Sequence, residues 1–236
     1  MIKSKQNTTV KYLQKLLRKK HRDQENKFLI FGTHMIDIAE ENGYEIDVYT
    51  SNESKEGTHF SKEIMKMLSP TETPYDTIGV VSKKEPTPYG DKILILDEIQ
   101  DPGNVGTLIR SAMGFGFMTV ISSFDTADFY SDKTVRATQG TILYANLVKD
   151  DLDHVFVDLI KQGYDIIMSS PHAEYHLEEL DKNKRVALVL GNEGSGINPN
   201  YYKYATKIIK IKTSHIESLN VAMAGSIMMH HLKDTL

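Results

Sequence analysis

Two short segments of the chain consist only of apolar residues, Ile-Leu-Ile-Leu at 93–96 and Val-Ala-Leu-Val-Leu at 186–190. Neither alternates apolar with polar residues, as a strand with one face in water would. Uninterrupted apolar strands are typical of a parallel sheet that helices cover on both faces. Helical periodicity over 105–113 and 152–161 supplies such helices. The second part of the chain is therefore predicted to be an α/β domain whose ligands bind at the carboxyl ends of the strands.

The first 81 residues carry a separate and smaller α/β pattern. An amphipathic helix is predicted over 7–21, with Ser4 or Asn7 as its N-cap. The remaining predicted elements are strands at 28–31, 46–49 and 78–81 and helices at 35–42 and 64–68. Residues 82–91 contain two prolines, a glycine and several charges, which is typical of a linker. The predicted domains are therefore 1–85 and 91–236.

Charge is distributed unevenly along the chain. Residues 1–27 hold nine Lys and Arg against two acidic residues, a net of +7, although the whole chain has a net charge of −4. Lys11, Lys15, Arg18 and Arg22 follow one stripe of the predicted first helix. A basic stripe on an otherwise acidic chain indicates nucleic-acid binding, and a solvated helix face gives the same pattern.

Composition excludes several kinds of site. The chain has no cysteine, which excludes disulfides, cysteine zinc ligands, a thiol nucleophile and RNA base methylation through a cysteine adduct. No apolar run approaches the ~18 residues of a membrane span, and no signal peptide is evident, so we expect a cytoplasmic protein. His172 and His176 lie four residues apart, but their flanks are loop-like rather than helical and no metal-ligand pattern is evident, so no metal is expected.

Three glycine- or asparagine-rich segments follow predicted strands. They are 97–110 (DEIQDPGNVGTLIR), 190–196 (LGNEGSG) and 217–222 (ESLNVA). Asn104 is placed to cap the helix that follows the first segment, and the glycines of the second segment would let a ligand approach the backbone. The dinucleotide and P-loop phosphate fingerprints are both missing from the sequence.

These segments, in this order, resemble the three motifs of the SpoU/TrmH family of RNA ribose 2′-O-methyltransferases, in the SPOUT superfamily. The matching stretches are DPGNVGTLIRSA, LVLGNEGSGI and ESLNVAMAGSI, with SDKTVRATQGT at 131–141 between the first two. The resemblance extends over about residues 92–236. The stretches VKYLQKLLRKKHR and FLIFGTHMIDIA more loosely resemble the ribosomal-protein-L30e-like substrate-binding domain of many members.

The resemblance implies S-adenosylmethionine (S-adenosyl-L-methionine) as cofactor, RNA as substrate, a deep trefoil knot and a homodimer with its active site near the interface. The L30e-like domain favours ribosomal (23S) RNA as the substrate. A tRNA ribose methyltransferase is one alternative, and a catalytically inactive RNA-binding ribosome assembly factor is another. The matches at Arg110, Glu193 and Asn220 favour an active enzyme. The dimer is expected to pack through Ala222, Ala224, Gly225 and Met228 of the last helix.

The resemblance also implies the site residues. The expected catalytic residues are Asn104, Arg110, Glu193, Ser218 and Asn220. The expected cofactor-binding residues are Ser169, Gly191, Ile211, Leu219 and Asn220. Ser218 has an alternative role as N-cap of the last helix. Ile209 is an alternative to Ile211, because the segment before the third motif is one residue shorter than is usual in the family. Phe31 stands where members commonly have a glutamate, which puts a polar role at that position in doubt.

The chemistry of ribose methylation favours a particular role for Arg110. A neutral 2′-hydroxyl is a weak nucleophile, so the site must favour developing negative charge on its oxygen. Arg110 is expected to clamp a phosphate through two hydrogen bonds and to place positive charge near that oxygen. An arginine stays protonated in proteins, so a phosphate, Glu193 or water is expected to take the proton. Glu193 has two alternative roles, orienting Arg110 or binding the substrate.

Overall fold

A computed structural model of the chain describes residues 1–180 and 185–233. The chain divides into two compact units. The first contains residues 1–85 and 128–143, and the second contains 86–127 and the described residues from 144 onward. Residues 128–143, which the sequence groups with the second domain, thus fold with the first unit.

The elements of the described residues alternate between helix and strand along most of the chain. The helices are α1 (Thr8–Leu16), α2 (Lys19–Glu25), α3 (Thr33–Glu41), α4 (Lys62–Leu68), α5 (Pro102–Gly114), α6 (Asp132–Ala137), α7 (Leu152–Lys161) and α8 (Val221–Leu232). The strands are β1 (Lys27–Phe31), β2 (Ile46–Thr50), β3 (Thr58–His59), β4 (Thr77–Ser82), β5 (Lys92–Leu96), β6 (Thr119–Ser122), β7 (Asn146–Lys149), β8 (Asp165–Ser169), β9 (Tyr175–His176), β10 (Val186–Leu190) and β11 (Lys207–Lys210). Short 3₁₀ turns lie at Thr141–Leu143, Leu177–Glu179 and Pro199–Tyr204.

The first unit is built on a four-stranded sheet in the order β1-β4-β2-β3. Strand β4 pairs antiparallel with both β1 and β2, and β2 pairs parallel with β3. One apolar core lies between this sheet and helices α1 and α4, around side chains such as Leu13, Phe60 and Ile64. The predicted strands of this unit are confirmed, and β3 is an additional short strand that the sequence pattern did not indicate.

The predicted single helix over 7–21 is wrong, because two helices occupy this stretch. Asn7 is the N-cap of α1, and its side chain accepts from the Thr9 N–H at 2.9 Å. The chain is extended at Arg18, and α2 starts at the next residue. The guanidinium of Arg22 donates to the carbonyl of Leu16 at 2.9 Å, which satisfies a carbonyl at the end of α1.

Arg22 does not belong to the basic surface stripe. It is 5% exposed, and its guanidinium donates to the carboxylate of Asp128 at 2.6 Å. The stripe reduces to Lys11, Lys15 and Arg18, which are exposed. Because Asp128 lies 106 residues further along the chain, local periodicity could not reveal that Arg22 turns inward.

The segment 128–143 makes further contacts within the first unit. The rings of Phe28 and Tyr130 lie 4.8 Å apart between centroids. The hydroxyl of Tyr44 donates to the carbonyl of Leu143 at 3.2 Å. Burial raises the pKa of Tyr44 to about 12, so this hydroxyl keeps its proton as a donor at neutral pH. The segment is therefore an integral part of the first unit.

The second unit is built on a parallel sheet in the order β7-β6-β5-β10-β8-β11-β9. All of its pairings are parallel, which confirms the predicted α/β class. The two wholly apolar segments become β5 and β10, which are neighbours and buried along their whole length. Strand β10 enters between β5 and β8, which precede it in the chain, so the carboxyl ends of these three strands lie side by side.

Helix α8 packs closely against α5 and β10. A Cβ on Gly225 would lie 2.5 Å from terminal side-chain atoms of both Leu108 and Leu190, so a larger residue there would have to displace them. Ala222 and Met228 are also buried within this unit. The expectation that these three residues face a second subunit is therefore wrong. The apolar side chains that α8 exposes are Met223 (61%) and Ile227 (42%).

No helix in residues 1–180 and 185–233 is long and apolar enough to cross a membrane.

Candidate active site

A cavity of about 510 Å³ lies at the carboxyl ends of β8, β10 and β11. It is open to a ligand and lies within the usual size range of small-molecule sites. Its lining includes seven of the residues predicted from the sequence: Ser169, Gly191, Glu193, Ile211, Ser218, Leu219 and Asn220. Ile211 lines the cavity, whereas Ile209 is fully buried in β11. The geometry therefore favours Ile211 over the alternative, Ile209.

The loop after β10 is held in shape by its own backbone. A Cβ on Gly191 would lie 2.5 Å from the carbonyl oxygen of Gly196 and closer still to the backbone nitrogen of Ile197. Gly196 has a φ of +74°, the left-handed conformation that favours glycine. Gly191 and Gly196 thus allow the loop to fold back on itself, and both also line the cavity.

Asn192 fixes the tip of this loop. Its side-chain oxygen accepts from the N–H of Gly194 at 2.8 Å and of Ser195 at 3.1 Å. Its side-chain nitrogen donates to the carbonyl of Glu98 at 2.9 Å. This asparagine was not predicted as a site residue, although asparagine followed by glycine two positions later is a turn signal. It connects the second motif to the strand end that precedes the first.

Glu193, Asn104 and Asn220 form a hydrogen-bonded chain across the three motif segments. The side-chain nitrogen of Asn104 donates to Glu193 at 2.9 Å. The side-chain nitrogen of Asn220 donates to the side-chain oxygen of Asn104 at 3.1 Å. Segments from 104, 193 and 220 are thereby joined at the cavity edge, and each amide has its orientation fixed by a partner on either side.

Glu193 is a carboxylate surrounded by N–H donors. The backbone N–H groups of Gln100 and Asp101 point at it at 3.2 and 3.4 Å, in addition to the Asn104 amide. Burial by itself would raise the pKa of Glu193, but the hydrogen bonds from Asn104 and from backbone N–H groups outweigh it and lower the pKa. A carboxylate held in this way is a weak base, so the geometry favours a positioning role.

The helix caps differ from those predicted. Asp101 is the N-cap of α5, and its side chain accepts from the Asn104 N–H at 2.9 Å. Asn220 is the N-cap of α8, accepting from the N–H groups of Ala222 and Met223. The cap roles considered for Asn104 and Ser218 are therefore wrong. Because Asp101 caps α5, the side chain of Asn104 is available to bond to Glu193 and Asn220.

Arg110 lies on the exposed face of α5, beyond Asn104. Among the residues that the structure describes, no hydrogen bond or ion pair engages its guanidinium. Glu193 does not orient Arg110, because its partners are Asn104 and the backbone of residues 100 and 101. Neither Arg110 nor Asn104 is among the described residues that line the cavity. The guanidinium thus remains free to bind a phosphate from solution.

Comparison with known proteins identifies the family. The SpoU rRNA Methylase family model matches residues 91–230, which is more than half of the chain. The chain belongs to the SpoU rRNA methylase family. A second model, the MRM3-like substrate binding domain, matches residues 7–79. The resemblance proposed for the three motif segments is thereby confirmed.

Relatives of this SpoU family chain include named ribosomal RNA enzymes. It is 29% identical to the 23S rRNA (guanosine(2553)-2′-O)-methyltransferase RlmP of Bacillus subtilis (strain 168), over 98% of each chain. It is 32% identical to the 23S rRNA (guanosine-2′-O-)-methyltransferase RlmB of Xanthomonas campestris pv. campestris, over 58% of this chain and 56% of the relative. The alignment with RlmP thus spans both predicted domains.

Solved structures share the fold of the SpoU family chain. An rRNA methyltransferase from Sinorhizobium meliloti with AdoMet bound has a TM-score of 0.88 at 24% identity, covering 98% of this chain and 96% of that one. AviRb, a SpoU methyltransferase from Streptomyces viridochromogenes in complex with AdoMet, has a TM-score of 0.85 at 20% identity, covering 96% and 97%. At these identities the likeness establishes the fold.

Asp97 begins the first motif segment of this SpoU family chain, but the sequence did not indicate it as a site residue. Asp97 directly follows β5, is buried, and accepts from the Asn198 N–H at 2.8 Å. Burial raises its pKa, in spite of the Asn198 hydrogen bond, which lowers it. Through this hydrogen bond to Asn198, Asp97 fixes the end of the loop that follows β10. A carboxylate directly after an apolar strand was the available signal. Among the described residues, no group of His, Asp or Glu could hold a metal ion.

Proposed function

We propose that this chain is an S-adenosylmethionine-dependent methyltransferase that methylates a ribose 2′-hydroxyl of 23S ribosomal RNA. The observation that carries the proposal is the hydrogen-bonded chain Glu193–Asn104–Asn220, which unites the three motif segments at the edge of a ligand-sized cavity. Membership of the SpoU rRNA methylase family and the full-length likeness to RlmP support it.

The cavity suits S-adenosylmethionine in size and in lining. Its volume of about 510 Å³ is in the range of cofactor sites, and polar groups of Ser169 and Ser218 stand beside apolar Leu219. Gly191, Ile211 and Asn220 complete the set of residues proposed to hold the cofactor, largely through backbone groups. When bound, S-adenosylmethionine supplies an electrophilic methyl group on a sulfonium.

The two asparagines are proposed to position the ribose. Asn220 has its oxygen committed to the α8 cap and one N–H committed to Asn104. Asn104 keeps one amide hydrogen and one oxygen lone pair beyond its two partners. These remaining groups can bind ribose hydroxyls and hold the 2′-oxygen in line for attack, which lowers the entropic part of the barrier. Ser218 lines the cavity together with Asn220 and offers a further hydroxyl.

Arg110 is proposed to activate the hydroxyl electrostatically. Its free guanidinium can bind an RNA phosphate through two hydrogen bonds and stabilise negative charge that develops on the 2′-oxygen. Glu193 is a poor acceptor for the proton, because its pKa is lowered and its oxygens already receive N–H groups. The proton is therefore proposed to leave to a phosphate oxygen or to water.

We propose residues 1–85 as the RNA-binding domain and residues 91–236 as the catalytic domain. The catalytic domain is proposed to contain the deep trefoil knot that the family resemblance implies. The match of the MRM3-like substrate binding model at 7–79 supports the first assignment. The exposed cations Lys11, Lys15 and Arg18 supply contacts for phosphates. Segment 128–143 folds with the first unit and is proposed to act with it in RNA binding.

A homodimer in the cytoplasm is proposed as the working form. The exposed Met223 and Ile227 on α8 support a subunit contact, because adjacent exposed apolar side chains are unfavourable in water. Light scattering should give twice the mass of the chain. A stable monomer at micromolar concentration that methylates RNA at full rate would refute the dimer as the working form.

The test of the function is methylation of RNA transcribed in vitro without modifications. We expect methyl transfer from S-adenosylmethionine to a 23S rRNA transcript, at one ribose that mapping of 2′-O-methyl groups identifies. Transfer to a tRNA transcript alone would overturn the ribosomal substrate. Binding of RNA without any transfer, and without affinity for S-adenosylmethionine by titration calorimetry, would indicate an inactive assembly factor.

A further inference from the structure

Phe124 is an exposed aromatic residue at the carboxyl end of β6. Its side chain is 61% exposed, among the most exposed large apolar side chains of the described residues. Its neighbours Ser123 and Thr126 are both buried. The exposed ring is therefore a local feature of an otherwise anchored turn. Exposed apolar area of this kind gains free energy when a planar partner covers it.

The turn that carries Phe124 is braced on both sides. The backbone N–H of Ser123 and the hydroxyl of Thr126 both donate to the carbonyl of Leu96 at 3.0 Å. The hydroxyl of Ser123 accepts from the Glu98 N–H at 2.9 Å. The backbone on either side of Phe124 is thus fixed to the end of β5. A ring on a fixed backbone loses little conformational entropy when it binds.

The same turn is connected to the catalytic hydrogen-bonded chain. The side-chain amide of Gln100 donates to the carbonyl of Asp125 at 3.0 Å. The backbone N–H of Gln100 donates to Glu193 at 3.2 Å. One residue therefore connects the turn that presents Phe124 to the carboxylate that positions Asn104. The ring is held at the same edge of the sheet as the proposed ribose site.

We propose that Phe124 is a positioning residue that stacks on an unpaired base, at or next to the nucleotide whose ribose is methylated. Specific RNA recognition commonly uses unstacked bases laid on aromatic side chains. A phenylalanine ring has no hydrogen-bonding group, so it recognises the flat face of a base and tolerates any of the four. The stacked base would fix the sugar relative to Asn104 and Asn220. This inference rests on the proposed methyltransferase function.

The test is single-turnover methylation of an unmodified 23S rRNA transcript at saturating S-adenosylmethionine. Phe124→Ala should raise the RNA concentration for half-maximal rate by about 5- to 150-fold, the scale of losing one base–aromatic stack. Phe124→Tyr and Phe124→Trp should retain near-wild-type behaviour, because each keeps an aromatic face. Phe124→Leu should behave like Phe124→Ala, because it is apolar without a ring. The affinity for S-adenosylmethionine should not change.

Ile160→Ala is the matched control, because Ile160 is an apolar side chain on α7 that is 47% exposed. It should leave the RNA dependence unchanged. Equal rates for Phe124→Ala, Phe124→Leu and wild type would overturn the inference while leaving the proposed function intact. Dissociation of a wild-type dimer in Phe124→Ala would also overturn it, by assigning the ring to a subunit contact. Failure of the wild-type chain to methylate any RNA would refute the proposed function instead.

Discussion

Replacing Gly191 with alanine tests whether the cavity loop needs its close backbone approach. The added Cβ would lie 2.5 Å from the carbonyl oxygen of Gly196 and closer to the backbone nitrogen of Ile197. Ordinary contact between such atoms begins at about 3.5 Å, so one strand of the loop must move by roughly 1 Å. The clash is with backbone atoms, which cannot rotate away as the end of a side chain can. The displaced residues belong to the loop that lines the cavity.

Overpacking of this kind costs about 1–3 kcal/mol. If the strain is relieved by moving the loop away from its cofactor-binding position, the Kd for S-adenosylmethionine should rise by about 5- to 150-fold, since 1.4 kcal/mol is a factor of ten. The melting temperature should fall by several degrees, on the scale of about 2–4 °C per kcal/mol for a chain of this size. Titration calorimetry gives the first quantity and thermal unfolding followed by circular dichroism gives the second.

Gly114→Ala is the control for this experiment. Gly114 ends α5 in the same unit, and a Cβ there meets no atom within 4 Å. The same substitution at that position should leave both cofactor affinity and melting temperature near wild type. The reasoning is refuted if Gly191→Ala binds S-adenosylmethionine as tightly as the wild-type chain at an unchanged melting temperature.

Three further predictions concern charged groups. Arg110→Ala should lower the single-turnover methylation rate by about 10²–10³, the scale of losing one preorganised donor, while cofactor affinity stays within a few fold; a wild-type rate would remove Arg110 from the mechanism. Asn104→Ala should raise the pKa of Glu193, observable in an NMR titration of its carboxyl carbon. A carboxyl group with a lowered pKa stabilises the fold at pH values above its ordinary pKa, and this stabilisation is lost as the pH falls through the lowered value. The Asn104→Ala variant loses part of this stabilisation, so its acid unfolding should start at a higher pH than that of the wild type. An unchanged titration of Glu193 would contradict this prediction. Replacing Lys11 and Lys15 together with alanine should weaken RNA binding. The slope of log K for RNA binding against log salt concentration should become shallower by about 1–2. An unchanged slope would show that RNA does not contact these two lysines.

The sequence was sufficient to predict the central strands of the second unit. The segments 93–96 and 186–190 were predicted as covered parallel strands, and they are adjacent β5 and β10. A run of four or five apolar residues must be covered on both faces to avoid water, and a parallel sheet between helices provides this. The prediction therefore needs only the residues of the run itself. Strand β7, Asn146–Lys149, is less apolar and lies at the sheet edge, and its pattern was not recognised.

The N-cap of α5 could not be predicted from the local sequence pattern alone. Aspartate and asparagine are both good N-caps, and Asp101 and Asn104 lie three residues apart before the same helix. Proline directly after Asp101 is the usual first helical residue, and this favours the aspartate. The role of Asn104 became evident only with Glu193 and Asn220, which are 89 and 116 residues away. Contacts at such separations leave no trace in a local pattern.

The pairing of Arg22 with Asp128 has a consequence for how the chain is made. As the polypeptide leaves the ribosome, α2 and the first sheet are complete long before residue 128 is synthesised. Until then the guanidinium of Arg22 lacks its carboxylate partner, and of its two acceptors only the carbonyl of Leu16 is present. The contacts that Arg22, Phe28 and Tyr44 make with the segment 128–143 therefore form only after that segment has been synthesised. The first unit can be completed only after residues 86–127 of the second unit have been synthesised.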